Sequence, residues 1–486
     1  MSAAEATRNP DRVSPARPGL STAETAAIGH CALLLIFTSW AFGGQAPWVR
    51  QVIALWGAGA PLLFLANCRT ADGAGRRRLH AAVRWLWPLL AYDLLVGLSC
   101  LNPGFVETVV AGEPSLVLGT PKPWLPSAAQ PEVTLRELWQ FNVFVLAGFN
   151  LALVLRGRRA VRTTLLIVGG NAVALAVFGT FQKLSGAAGL WFGLVPSPNP
   201  NFFATFIYHN HWGAFTLLNA AACVGLLTHH LRRAGQGALG RSPVGLGLLA
   251  VLLLAVTLPL SASRSCTVLM AVLLLGSLGH GLLRLIRRRR EQRESAWRAV
   301  AAIILAGALA AMAIAYLGRE VIAQRAHLTS EQLAHLARED TLNSRLVLYR
   351  DTWHMAAAKP WFGWGLESYA HVFRIFNTQR AVESWVWIPF YAEAHSDWLQ
   401  SLAEVGFVGT GLLALLLLLP LRAVRWRQVQ SYLPRYLLAG CALVLLYAWV
   451  EFPFANPAVM LTFSATFFCA VSYARLDLRA QREDQS

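Results

Sequence analysis

The sequence predicts an all-α, polytopic integral membrane protein, and three observations carry that prediction. Hydrophobic residues make up 56% of the 486 and charged residues only 14%, with a mean hydropathy of +0.46, whereas a soluble chain carries roughly a quarter charged residues. Several windows of about 20 residues hold almost no charge, the length that crosses ~30 Å of hydrocarbon. Basic loops alternate with loops poor in Arg and Lys, as expected when positive residues are retained on the cytoplasmic side.

The apolar runs give about twelve helices, near 27–43, 51–67, 83–100, 137–155, 163–181, 210–230, 243–260, 266–283, 299–317, 399–420, 436–451 and 458–474. No period of 20–50 residues repeats, which argues against a solenoid. Residues 1–26 are polar and Ala/Pro-rich with no apolar core, so they read as a disordered tail and not as a cleaved leader. The seven cysteines lie in or at the ends of apolar spans without the paired spacing of a metal knuckle or disulfide framework.

Orientation follows from the basic loops. These hold Arg76-Arg77-Arg78, Arg156 with Arg158 and Arg159, Arg232-Arg233, Arg287 through Arg290, and Arg422 with Arg425 and Arg427. Because each run sits beside a span, the net charge of +17 reads as topology anchoring and not as a nucleic-acid surface. Twelve spans then leave both termini cytoplasmic and two long segments outside, 101–136 and 318–398. The second is nearly neutral, so an anion site there has to be made by particular arginines.

Helix arithmetic places two polar side chains at similar depth. Arg264 lies about 20 residues before Arg284, or ~30 Å at 1.5 Å per residue. His395, in the stretch Glu393-Ala394-His395-Ser396-Asp397, precedes Arg422 by about 27 residues, or ~40 Å. Both belong at the outer face. A third stretch, Asn343 to Tyr369, reads as an amphipathic helix capped by Asn343 or Ser344 and stopped by Lys359-Pro360. Arg345 and Arg350 flank Tyr349 on it. Gly363-Trp364-Gly365 is too weak a pattern to be a phosphate loop. A fourth stretch, Tyr208-His209-Asn210-His211, opens a span on the outer side. Its two histidines are two residues apart and do not share a helix face, so a metal centre is not the reading.

Arg is suited to phosphate because its planar fork donates bidentately and stays charged. A neutral His can take a proton from a hydroxyl. Phosphate clamps with a base at headgroup level suit a lipid-linked pyrophosphate attacked by a sugar hydroxyl. Twelve spans also fit a transporter or flippase, but such a protein places ionisable residues near mid-depth and has related halves. Here Asp93 is the clearest mid-span acid and no halves are evident. A non-catalytic envelope scaffold would tolerate loss of His395.

The blocks FIYHNHWGAF, SASRSCTVL, NSRLVLYRDTWHMAAAKPWFGWGLESY and EAHSDWLQSLAEVGFVG resemble, in order and spacing, those of the O-antigen ligase and Wzy-type polymerase superfamily over roughly residues 200–415. The last block is the most specific. The resemblance implies a GT-C-like membrane fold with a long helical periplasmic loop. It also implies transfer of a glycan from undecaprenyl pyrophosphate to a glycan or lipid A core acceptor in the inner membrane, with no metal or other cofactor and no nucleic acid. Carried over by position, Arg264 and Arg345 bind pyrophosphate and His395 is the base. Arg350, Tyr349, Asn210, His211, Asp397 and Glu404 are the further candidate substrate-binding residues. Ser396 stands where Asn is usual, and Tyr208-His209 where an Arg more often precedes Asn-His. Ligase, polymerase and protein glycan transferase stay open. The chain then divides into a cytoplasmic tail (1–26), N-terminal helices (27–200), central helices (201–317), a periplasmic catalytic loop (318–398), C-terminal helices (399–475) and a second cytoplasmic tail (476–486).

Overall fold

The computed structural model describes residues 19–69, 73–110, 113–233, 243–293, 341–378 and 390–483, with isolated positions between 295 and 312. The N-terminal helices are α1 (Thr22–Trp40), α2 (Pro47–Gly57), α3 (Gly59–Cys68), α4 (Gly73–Cys100), α5 (Pro131–Val154) and α6 (Arg158–Leu184). The central ones are α7 (His209–Arg233), α8 (Val244–Ser261) and α9 (Arg264–Glu291). Two shorter helices follow, α10 (Thr341–Ala358) and α11 (Tyr369–Phe376), and the chain ends with α12 (Asp397–Arg422), α13 (Leu433–Tyr447) and α14 (Pro457–Glu483).

Among the described residues ten helical stretches are long and apolar enough to cross a membrane. This is the all-α polytopic architecture expected. The stretch expected at 436–451 is α13, which stops at Tyr447 and is shorter than a span. Apart from isolated positions, the span expected at 299–317 lies outside the described residues, as do the segments 313–340 and 379–389.

Two local differences have clear causes. First, α1 starts at Thr22, inside the stretch read as tail. Ser21 caps it, its hydroxyl accepting from Glu24 N while the Glu24 carboxylate accepts from Ser21 N. This reciprocal pairing satisfies two end donors. Second, segment 101–136 contains an antiparallel hairpin, β1 (Phe105–Val110) with β2 (Glu113–Leu118), in register Phe105 to Leu118. Its strands, FVETVV and EPSLVL, flank residues 111–112, and their Val content suits a pleated surface.

At the centre lies α14, nearly buried along its length and packed against α5, α13, α7, α6 and α1. From 457 to 474 its residues are apolar, small or hydroxyl-bearing on every side, as a helix surrounded by helices must be. Close approaches use small residues, because Leu cannot drive helices together in lipid. Gly148 of α5 rests on Ser464 of α14, and Gly440 of α13 rests on Ala221 of α7. Outer helices carry exposed leucines, such as Leu246 and Leu275, which face hydrocarbon.

A backbone clasp shapes one end of the bundle. Gly406 interrupts α12 with φ 65° and ψ −170°, a region open to glycine alone. The amides beyond the break are taken up by the turn after α10. Phe407 N donates to Pro360 O (2.8 Å), and Val408 N donates to Trp361 O (3.1 Å). In return Trp364 N donates to Ala403 O (3.0 Å) and Gly365 N to Glu404 O (2.7 Å). Gly363 (φ 68°) lies directly against the Glu404 backbone and Gly406 against that of Trp361. Gly363-Trp364-Gly365 is therefore a structural turn.

Candidate functional site

Five chain segments converge at the same end of the bundle. The first is the elbow before α12. His395 sits in the left-handed region at φ 51°, uncommon for a residue with a Cβ. Tyr349 of α10 holds it there, its hydroxyl donating to His395 O at 3.0 Å. Ser396 then caps α12, accepting from Leu399 N at 3.4 Å. Ser and Asn are comparable caps, so the departure from the usual Asn keeps the local structure. Asp397, first in the helix, accepts from Phe454 N (3.0 Å) while its own N donates to Glu451 O (3.2 Å).

The second segment is the connector between α13 and α14, and it supplies the residue on which the site turns. Glu451 is buried. It accepts from Asn210 Nδ2 (3.0 Å), Tyr208 Oη (3.3 Å) and Arg345 (3.3 Å). His395 Nδ1 lies 3.6 Å from Glu451 Oε2, longer than a hydrogen bond but within ion-pair range. The imidazole also packs edge-on to Phe452, with centroids 4.9 Å apart. An uncompensated carboxylate buried here would cost several kcal/mol, so the donors around it are what allow the charge to sit there. Burial, and then the charge of Glu451, raise the Tyr208 phenol pKa, which keeps it a donor.

The third and fourth segments bring in the α7 start and the α8–α9 corner. Asn210 Nδ2 also donates to Tyr208 Oη at 2.8 Å, and Ser263 Oγ donates to Asn210 Oδ1 at 2.7 Å. Ser263 is the residue before α9, whose first residue is Arg264. The corner is sharp because Ala262 adopts φ 66°, and α9 comes close to α7 at Gly213, which Cys266 and Ser263 abut. His211 is buried; its Nε2 donates to Phe452 O at 3.3 Å and its Nδ1 has no partner. It braces Phe452, which in turn backs His395.

The fifth segment is α10, where Arg345 and Tyr349, four apart, share a face toward the elbow. Arg350 does not join them. It bonds Asp351 (3.1 Å) and Thr378 (2.6 Å), on the flank of α10 away from Glu451. Glu404 also has another task. Its carboxylate accepts from Glu367 N (3.1 Å) and Tyr369 N (3.2 Å), capping α11 and bracing the clasp. Thus Asn210, Arg345 and His395 meet around one carboxylate, with Tyr349, His211 and Asp397 setting the frame and Arg264 one residue from it. Sequence reasoning missed Glu451, although it is the single acid between Glu404 and Asp477, between two apolar helices.

Beside the elbow lies a cavity of about 350 Å³ between α5, α12 and α14. Asp397 and Phe454 form the wall it shares with the cluster. Its lining includes the charged residues Glu137, Glu367, Glu393 and Arg50 and the aromatic residues Phe141, Phe463 and Phe467. Arg50 pairs with Glu137 at 2.8 Å. Burial, and then the charge of Glu367, lift Glu393 to about 7. A lining acidic in part and aromatic in part suits an amphiphile with a hydroxyl-rich headgroup and disfavours a phosphate there.

Fold and cluster together define an integral membrane protein whose buried polar chemistry gathers at one end of its helix bundle, beside an amphiphilic cavity. The O-Antigen ligase family model matches residues 249–414, about a third of the chain, from α8 into α12. Over this stretch the chain is similar to the O-antigen ligase family, whose members are ligases and polymerases acting on lipid-linked glycans. No curated protein matches the chain. The match spans Arg264, Arg345 and His395, while Asn210 and Glu451 lie outside it on either side.

Proposed function

We propose that this protein transfers a glycan from undecaprenyl pyrophosphate to a sugar hydroxyl at the periplasmic face, in the manner of an O-antigen ligase, without a metal. His395 is the base. Its buried Nδ1 faces Glu451, which leaves Nε2 for the acceptor. Nε2 takes the hydroxyl proton as the oxygen attacks the anomeric carbon. The bond from that carbon to pyrophosphate breaks, and the pyrophosphate leaves with the electron pair. Glu451 orients the ring and stabilises the imidazolium, as a carboxylate does for other catalytic histidines.

Arg345 and Arg264 hold the leaving charge. Arg345 is half-exposed, so its pair with Glu451 is worth no more than about 1 kcal/mol. A hydrogen bond to a charged phosphate contributes ~1.5–3 kcal/mol, so the guanidinium turns to the substrate while Asn210 and Tyr208 keep Glu451 satisfied. The acceptor's apolar anchor occupies the neighbouring cavity. What carries the reading is the convergence of Asn210, Arg345 and His395 on Glu451, beside Arg264.

The test is glycan transfer by His395→Ala in membranes where it inserts normally. Loss of transfer is expected, and wild-type levels would reject the base role. Surface glycans of a deletion strain separate the finer possibilities. Free core without long chains indicates a ligase, a single added repeat a Wzy-type polymerase, and loss of capsule or slime with normal lipopolysaccharide an exopolysaccharide enzyme.

A further inference from the structure

The three helices that bring Asn210, Arg264 and Glu451 together carry a second cluster at their opposite ends. Arg232 near the end of α7, Arg284 on α9 and Arg435 at the start of α13 all face one ring, Tyr432. Arg284 Cζ lies 3.9 Å from the ring centroid, Arg435 5.3 Å and Arg232 5.4 Å. The His280 ring adds a fourth side, 4.5 Å away, and its Nδ1 is 2.7 Å from Tyr436 Oη.

Topology anchoring explains basic residues at this end but not their convergence. Like charges gathered around one ring repel unless an anion lies between them. Among the described residues no carboxylate pairs with any of the three. Asp477, nearby, is engaged by Arg158 and by the amides of Gln430 and Ser431. Each guanidinium has five donors. Arg232 uses one on Gln430 O and Arg435 one on Val429 O, and Arg284 lies against the ring. Several donors on three helices are left to converge on an oxyanion.

We propose that Arg232, Arg284 and Arg435, arranged around Tyr432, bind the phosphate of a membrane lipid headgroup at the basic end of the bundle. Guanidinium forks match phosphate oxygens, and basic pockets between transmembrane helices suit anionic headgroups. The lipid source is favoured over a soluble phosphate because the adjoining flank of α9 is apolar and open, with Leu275 67% and Leu283 59% exposed, giving acyl chains a surface. A bound phosphate there ties together the far ends of the helices that hold the candidate site.

The experiment uses the full chain purified in detergent, with lipid retention read by native mass spectrometry and apparent melting temperature by thermal shift. The probes are phosphatidylglycerol, diacylglycerol and inorganic phosphate. Wild type is expected to retain phosphatidylglycerol and to melt higher with it, with no gain from diacylglycerol. Arg284→Gln, which removes no protein hydrogen bond, should weaken retention about tenfold, and the triple Arg232→Gln/Arg284→Gln/Arg435→Gln should abolish it. The control is Arg287→Gln/Arg288→Gln/Arg290→Gln, an equal charge loss on the exposed run next to it, which should retain the lipid. Displacement of the lipid by inorganic phosphate, with the same melting gain from phosphate alone, keeps the anion site and changes its source to a soluble one. Equal loss in both triple variants, or no retention by wild type, overturns the proposal.

Discussion

The clasp and the cluster are adjacent and share two sequence blocks, those of α10 and of the start of α12, yet they are built differently. In the clasp around Gly363 and Gly406 almost every contact is backbone to backbone, and the one carboxylate present, Glu404, caps a helix. In the cluster the backbone is held by neighbours while side chains face one another around Glu451. Frame and chemistry are interleaved along the chain: the clasp sets where α12 begins relative to α10, and that placement brings Arg345 and Tyr349 to the His395 elbow. A motif residue can thus serve the frame although it adjoins the cluster.

Variants that damage the frame but spare the chemistry, or the reverse, sharpen this division. The largest effect is expected at Gly406→Ala. A Cβ there meets the Trp361 backbone in a conformation that costs about 1–3 kcal/mol of strain before any clash, so the variant should be recovered in much lower yield or melt far lower. A fold as stable as wild type would break the account of the clasp. Next, Glu451→Gln should lower transfer by up to about 10⁴-fold, the loss that follows when an amide replaces the carboxylate behind a catalytic histidine. Its melting should stay close to wild type, since an amide oxygen still accepts from Asn210. A large stability loss with normal turnover per folded molecule would move Glu451 into the frame.

Glu404→Gln is expected to do the opposite, lowering stability by about 1–3 kcal/mol with turnover of the folded fraction unchanged. Loss of turnover at full stability would return Glu404 to the substrate-binding set. Glu393 gives a pH-dependent test. Its raised pKa means that the folded chain binds this proton more tightly than the unfolded chain. Its stability contribution is therefore fully present below the ordinary carboxyl range and is lost as pH rises through about 7. Glu393→Gln should melt higher than wild type at pH 8 and lose that advantage by pH 5, and a difference independent of pH would contradict the assignment. The smallest effect is at Ser396: Asn should be neutral, whereas Ala should cost about 1 kcal/mol in melting measurements.

That the chain crosses a membrane many times is written in its local composition. Hydrocarbon admits only long apolar stretches whose backbone is satisfied internally, and such stretches are legible residue by residue. The sequence also drew attention to His395 and Asn210, polar side chains at the mouths of apolar runs, and to Arg345 through a block that resembles the ligase and polymerase superfamily. Tertiary structure alone decided how these residues meet. Glu451 lies far along the chain from His395 and reaches it only because α13 ends short and the connector folds back. The different employment of Arg350 and Glu404 was hidden for the same reason: their partners, Thr378 and the amides of the α11 cap, are set by the approach of two turns. Spacing along a helix records depth, but the pairing of side chains from separate segments depends on packing that no local pattern encodes.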